Sequence, residues 1–113
     1  MGFPFNAVTS KQRGIQMYAG IKGGLGTPTL SGLNAFQMTI TDNGVGDYTV
    51  NFPAGGNDSI VAVATPTTDN TTIKIGTITI SSVQFLVENL SGTATEGNFH
   101  FMIMNTSAKD LQG

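Results

Sequence analysis

The sequence predicts an all-β protein, a small antiparallel β-sandwich (jelly-roll-like) of about seven or eight strands with an extended N-terminal arm. Three observations predict it. Short segments alternate apolar and polar residues at the period of a strand, Gly/Pro/Asn/Ser clusters separate them at regular spacing, and no long segment has helical periodicity. A chain of 113 residues suits one domain. We expect an arm over residues 1–12, the sandwich over 13–107 and a tail over 108–113.

Seven segments have the alternation of strands, namely 15–22, 35–41, 47–52, 59–65, 71–79, 82–88 and 98–104. Because side chains alternate between the two sides of a strand, each segment has two predicted faces. The first two segments each place several apolar residues on one face: Ile15, Met17, Ala19 and Ile21 in the first, and Phe36, Met38 and Ile40 in the second.

The third segment has the clearest pattern. Tyr48, Val50 and Phe52 share one face, and polar residues occupy the other. The preceding Asp42-Asn43-Gly44 predicts a tight turn, since Asn and Gly tolerate the positive φ that hairpin turns need.

The fourth and fifth segments depart from simple alternation. The run Ile60-Val61-Ala62-Val63 in the fourth is continuously apolar, which is typical of a strand covered on both faces. In the fifth segment the apolar positions change from odd to even numbers across Gly76-Thr77, which predicts a β-bulge there.

The last two segments alternate regularly. Their predicted inward residues are Val83, Phe85 and Val87, then Phe99, Phe101 and Ile103. Opposite the last three lie His100, Met102 and Met104.

Composition excludes several function classes. Charged residues make up 11% of the chain, with a net charge of −2, so a basic nucleic-acid footprint is absent. No apolar run approaches the ~18 residues of a membrane span, and without cysteine there is no disulfide or thiolate metal site. The scarcity of charge has two interpretations: a surface covered by uncharged polar residues, or a surface covered by neighbouring subunits.

Candidate catalytic residues are few. His100 is the only histidine, and a metal site built on histidine needs a second one. Glu88 and Glu96 flank a predicted hairpin loop, where they could face each other like glycosidase carboxylates or simply solvate the strand ends. No Trp is present for sugar stacking, and Tyr18 and Tyr48 both lie within predicted strands. We therefore predict no enzymatic activity, no catalytic residues and no cofactor.

Asp42, Asn43 and Asp47 are the one cluster that resembles a calcium loop. They offer few of the ~6–8 oxygen ligands that Ca²⁺ takes, and turns select the same residue types. We therefore predict no metal site.

Two parts of the chain carry a family resemblance. One is residues 42–52, ending in the strand Gly-Asp-Tyr-Thr-Val-Asn-Phe; the other runs from 83–93, with Glu-Asn-Leu-Ser-Gly-Thr, to the closing strand 98–104 with Asn-Phe-His-Phe. Over roughly the last two-thirds of the chain, this pattern resembles small β-structured virion proteins of tailed bacteriophages, including capsid decoration (cement) proteins and head- or tail-fibre domains.

The resemblance implies a virion protein on the capsid surface that forms a homo-oligomer, typically a trimer, and binds the major capsid protein. Phe3, Pro4 and Phe5 would then form an arm that latches onto a neighbouring subunit, or alternatively fold back over their own core. Met102 and Met104 are further interface candidates, although ordinary core positions also suit them. The alternative functions are a fibre module that recognises a host-surface glycan and a tail adaptor ring protein.

Overall fold

A computed structural model of the chain describes residues 16–54 and 59–105. Two four-stranded antiparallel sheets pack together there, which confirms the predicted all-β sandwich. The predicted arm, with Phe3, Pro4 and Phe5, and the predicted tail over 108–113 lie outside the described residues.

Sheet A contains β1 (Gln16–Gly23), β2 (Thr29–Leu33), β5 (Ile60–Pro66) and β8 (Phe99–Asn105), in the spatial order β2-β1-β8-β5. Sheet B contains β3 (Thr39–Gly44), β4 (Asp47–Asn51), β6 (Thr71–Thr79) and β7 (Ser82–Asn89), in the order β3-β4-β7-β6. All strand pairings within the sheets are antiparallel.

The core lies between the sheets and is rich in aromatic rings. The ring centroid of Phe85, on β7, lies 5.1 Å from that of Phe99 and 5.5 Å from that of Phe101, both on β8. The predicted inward faces of three strands are confirmed as buried: Tyr48 and Val50 of β4 with the adjoining Phe52; Val83, Phe85 and Val87 of β7; and Phe99, Phe101 and Ile103 of β8.

β1 turns its apolar face outward. Tyr18 and Lys22 are buried, while Ile21 is exposed and Met17 and Ala19 are half-buried on the opposite side. The face of β1 that is richest in aliphatic residues therefore does not contribute to the core.

The connection between the sheets differs from its prediction. Ala35–Gln37 forms a 3-10 turn, preceded by Asn34 with a left-handed φ of 63°, so a strand over residues 35–37 was the wrong prediction. Phe36 consequently does not share a face with the buried Met38, and its side chain is 83% exposed. β2 was not predicted, because its five residues follow a Gly/Pro-rich loop and include only two apolar side chains larger than glycine.

The turn after β3 lies further along the chain than predicted. Strand pairing continues to Gly44 through a β-bulge, and the turn itself comprises Val45 and Gly46. Gly46 is buried with φ of 69°, and its carbonyl accepts the backbone N–H of Val87. A Cβ atom at Gly46 would lie 2.5 Å from the carbonyl oxygen of Val87.

The bulge predicted at Gly76-Thr77 is confirmed, since the register between β6 and β7 shifts between Ile75 and Ile78. The Gln84 side chain occupies the resulting space, and its Oε1 accepts the backbone N–H of Thr77 at 3.0 Å. A side-chain amide thus replaces the ladder bond that the bulge interrupts.

We predict that Gly46→Ala destabilises the protein more than Gly92→Ala. Both glycines have positive φ, which costs an L-residue about 1–2 kcal/mol. At Gly46 the new methyl group also meets backbone atoms, which adds about 1–3 kcal/mol, whereas a Cβ at Gly92 meets no atom within 4 Å. Urea unfolding of both variants measures the difference, and equal losses would contradict the assigned packing around Gly46.

Candidate functional site

The two outer faces of the sandwich have opposite chemistry. The outer face of sheet B carries polar and charged side chains, whereas that of sheet A carries apolar and uncharged ones. Of the four sheet faces, the two outer ones are available to a partner, because the inner faces form the core.

The outer face of sheet A is called the apolar face below. The strand register places its residues in three rows across the sheet: Met17, Met104 and Val61; Leu33, Ala19, Met102 and Val63; and Ser31, Ile21, His100 and Thr65. The exposed fractions of Leu33, Val61 and Val63 are 55%, 52% and 56%. No Asp, Glu, Lys or Arg occurs in these rows.

The structure places both candidate methionines on this face. Met102 is 38% exposed and Met104 is half-buried, so the interpretation of Met102 as an ordinary core residue was wrong. Its role in an interface remains a prediction. His100 is exposed in the neighbouring row, beside a shallow depression of about 180 Å³ lined by Val63, Ala64, Thr65, His100, Phe101 and Met102.

Side chains of the polar outer face of sheet B bond mainly to one another. Asp47 Oδ1 accepts hydrogen bonds from Asn43 Nδ2 at 3.2 Å and Gln84 Nε2 at 2.9 Å. Asn51 Nδ2 donates to Thr41 Oγ1 at 3.1 Å. This network stabilises the surface of the sheet, and its donors and acceptors are largely used within the protein.

The calcium-loop candidates Asp42, Asn43 and Asp47 belong to the hairpin of β3 and β4. Asp42 Oδ1 accepts the backbone N–H of Gly44 at 3.0 Å, as turn residues do, and the Asp47 carboxylate faces two amide donors. Within residues 16–54 and 59–105, no three or more His, Asp or Glu side chains group together as metal ligands would.

The two candidate glycosidase carboxylates have separate partners. Glu88 forms a surface ion pair with Lys74, with 3.0 Å between Oε2 and Nζ. Glu96 Oε1 accepts a hydrogen bond from the Tyr48 hydroxyl at an O–O distance of 2.5 Å. The structure does not bring the two glutamates together as a pair.

A buried lysine is the main charged feature of the interior. Lys22 is 0% exposed, and its Nζ donates to the carbonyl oxygens of Gly24 and Gly97, each at 2.9 Å, and to Asn98 Oδ1 at 3.0 Å. Three acceptors match the three N–H groups of an ammonium ion. Nζ also lies 4.1 Å from the ring centroid of Tyr48, in cation–π geometry.

Lys22, Tyr48 and Glu96 form what we call the lysine cluster. Burial lowers the pKa of Lys22, and the nearby charge of Glu96 opposes that shift. Burial, followed by the hydrogen bond to Glu96, raises the pKa of Tyr48. The lysine cluster thus holds a saturated ammonium ion, which is suited to clamping loops and not to nucleophilic attack.

The clamp joins three loops at one end of the sandwich. Lys22 bonds to Gly24 in the β1–β2 connection and to Gly97 and Asn98 in the segment before β8. Asn98 in that segment continues the network to the β5–β6 turn, where its N–H donates to Thr68 Oγ1 and its carbonyl accepts the N–H of Thr67.

Sequence reasoning missed Lys22 and Phe36. The signal for Lys22 was its even-numbered position with Tyr18 on β1, but the odd-numbered aliphatic residues were the more conspicuous set. Phe36 is the one exposed aromatic side chain among the described residues, and its exposure depends on the 3-10 turn.

Comparison of the chain with protein-family models, curated proteins and solved structures gave no match.

In the described part of the chain, no helix has both the length and the apolar character needed to cross a membrane.

We predict that Lys22→Met lowers the free energy of unfolding by about 3 kcal/mol, because it leaves one buried and two partly buried hydrogen bonds without their charged donor. Lys74→Met is the matched control. Its ion pair is 60% exposed on the lysine side, so the expected loss is within about 1 kcal/mol. Denaturant unfolding of the two variants tests this, and similar losses would contradict a clamping role for Lys22.

We also predict that the protein's two tyrosines resist ionisation while it is folded. Burial raises the pKa of Tyr18 and Tyr48 above the ordinary value of 10.0, so their stabilising contribution is present below pH 10 and is lost as pH rises further. The lowered pKa of Lys22 acts oppositely: its destabilising contribution is relieved as pH rises towards 10.5. Above that pH the tyrosines dominate.

Parallel absorbance and circular dichroism titrations measure this effect. The phenolate absorbance should rise together with the loss of β-structure, while the chain in denaturant titrates near its ordinary pKa. Reversible ionisation of both tyrosines at that ordinary pKa, with the fold intact, would show that the two hydroxyls are not protected.

Proposed function

We propose that this protein is a structural virion protein, a capsid decoration protein that forms oligomers and binds across capsid subunits to stabilise a phage head. The apolar face carries the proposal, as the surface through which copies of the protein would associate. An uncharged sheet face on the outside of a sandwich is the kind of surface that protein interfaces use, because contiguous exposed apolar patches mark interaction sites.

The energetics of the face support binding to protein. Each Å² of apolar area removed from water contributes about 25 cal/mol. No Asp, Glu, Lys or Arg side chain in the rows of the apolar face has to be desolvated, so the cost of burying such ions does not offset this contribution.

The remainder of the described chain supports a structural role over a catalytic one. Lys22, the buried lysine of sheet A, is saturated by hydrogen bonds. Glu88 and Glu96 are engaged by Lys74 and Tyr48, and His100 faces aliphatic neighbours on the apolar face.

A glycan-binding fibre module is less well supported. Such a site combines aromatic platforms with polar side chains that are free to bond hydroxyl groups. The polar side chains of sheet B bond to one another, and Phe36 is a single exposed ring in the described part of the chain.

Co-sedimentation with capsid shells tests the proposal. The purified protein would be added to shells of the major capsid protein of the same phage, and the bound fraction and the heat resistance of the shells measured. We expect regularly spaced density on the shell by electron microscopy and a higher disruption temperature. Absence from the shell, or density confined to the tail or fibres, would overturn the proposal.

We predict that Phe36→Ser weakens shell binding by about 2 kcal/mol or more, since exposed aromatic side chains often become the anchors of interfaces. This corresponds to roughly a thirtyfold loss of affinity. Stability should be nearly unchanged, because the side chain is 83% exposed.

Leu90→Ser is the control for this substitution, since Leu90 is 70% exposed on the turn between residues 89 and 94. It should bind the shells like the unaltered protein. Equal effects of the two substitutions would show that Phe36 has no specific part in binding.

A further inference from the structure

We propose that the apolar face binds the same face of a second copy. The two copies of sheet A would face each other across a twofold axis that runs parallel to their strands. The proposal names the surface and the symmetry of self-association, and it differs from the trimer that the family resemblance implies. It does not depend on capsid binding, which is measured separately.

The first argument is charge. A partner that placed a charged group against these rows would bury it without a counter-ion, which is strongly unfavourable. In the described chain, the outer face of sheet B carries Asp47, Lys74 and Glu88, and it is therefore unsuited to this contact. The apolar face is therefore its own best match within this molecule.

The second argument is the order of side chains across the sheet. The middle row reads Leu33, Ala19, Met102, Val63 from β2 to β5. The proposed axis reverses this order in the second copy, so Ala19 lies opposite the partner's Met102, and Leu33 lies opposite the partner's Val63. The smallest side chain of the row thus meets the longest one, twice by symmetry.

The outer rows are compatible with the same axis. Met17 lies opposite the partner's Met104, and two flexible thioether side chains adapt readily to an irregular contact. Ile21 lies opposite the partner's His100. The partner's Leu33 approaches the shallow depression beside Val63, which gives it a recess to occupy.

β5 provides independent support. Its continuous apolar sequence is typical of a strand covered on both faces, yet the single chain covers one face and leaves Val61 and Val63 more than half exposed.

The size of the face sets the strength of the pair. Four strands at about 4.8 Å spacing, and three rows along them, give a projected area of roughly 400 Å² per copy. Stable interfaces bury about 800 Å² per partner. The pair should therefore be weak in solution and strongly dependent on concentration, and it would strengthen where copies are held close together on a larger assembly.

Sedimentation equilibrium of the full chain, from about 1 µM to about 1 mM, tests the inference. We expect a monomer–dimer equilibrium. Val63→Lys should abolish the dimer, whereas Thr72→Lys, which adds the same charge to an exposed position on the other sheet, should leave it intact. Unfolding curves of both variants establish that they remain folded.

A size exchange tests the register. Ala19→Met alone and Met102→Ala alone should each weaken the dimer, the first by a clash and the second by a void. The double variant should recover at least part of the lost affinity, because it restores one small and one long side chain at each contact. Independent effects that simply add would overturn the proposed axis.

Several results would overturn the inference altogether: a monomer at every concentration, a trimer, or a dimer that Val63→Lys does not affect. A protein that pairs as described but never binds capsid shells would leave this inference standing and overturn the proposed function. A strict monomer that binds capsid shells would overturn this inference and leave the capsid-binding part of the proposed function standing.

Discussion

The close packing of Phe85, Phe99 and Phe101 between the two sheets is the contact on which the other features depend. Because these rings of β7 and β8 are buried in the interior, alternation along each strand places every other residue on the outside. Met102 is therefore exposed because its neighbours Phe101 and Ile103 face the core, and not because methionine is poorly suited to a core. The outer surface is thus decided by the interior.

The interior also contains an ammonium ion, and its neighbourhood explains how it is tolerated. Lys22 donates to three oxygen acceptors and lies over the Tyr48 ring, and Glu96 is close enough to favour its positive charge. The same contacts tie the loop after β1 to the segment before β8. The cost of desolvating Lys22 is thereby offset by these hydrogen bonds and by the aromatic contact, and the same bonds hold the loops in place.

The strands with one dominant face could be predicted from sequence, as β4, β7 and β8 show, and so could the bulge at Gly76-Thr77. For β1, the sequence could not predict which face is buried. Its aliphatic residues and Tyr18 lie on opposite faces, and local alternation cannot choose between them without knowing what β8 presents. The exposure of Phe36 was not predicted for a different reason, because a left-handed Asn34 interrupts a segment with good strand propensity. Long-range pairing decided the orientation of β1, whereas a local turn decided that of Phe36.

The difference between the two outer faces makes the molecule amphipathic. At any boundary between water and an apolar phase, it would orient as a small surfactant does, with Val61, Val63 and Met102 towards the apolar side. A layer of such molecules would present Thr41, Asn51 and their neighbours to the medium. That outer coat would be hydrated, and it would mix charges of both signs, from Asp47, Lys74 and Glu88, with uncharged polar side chains.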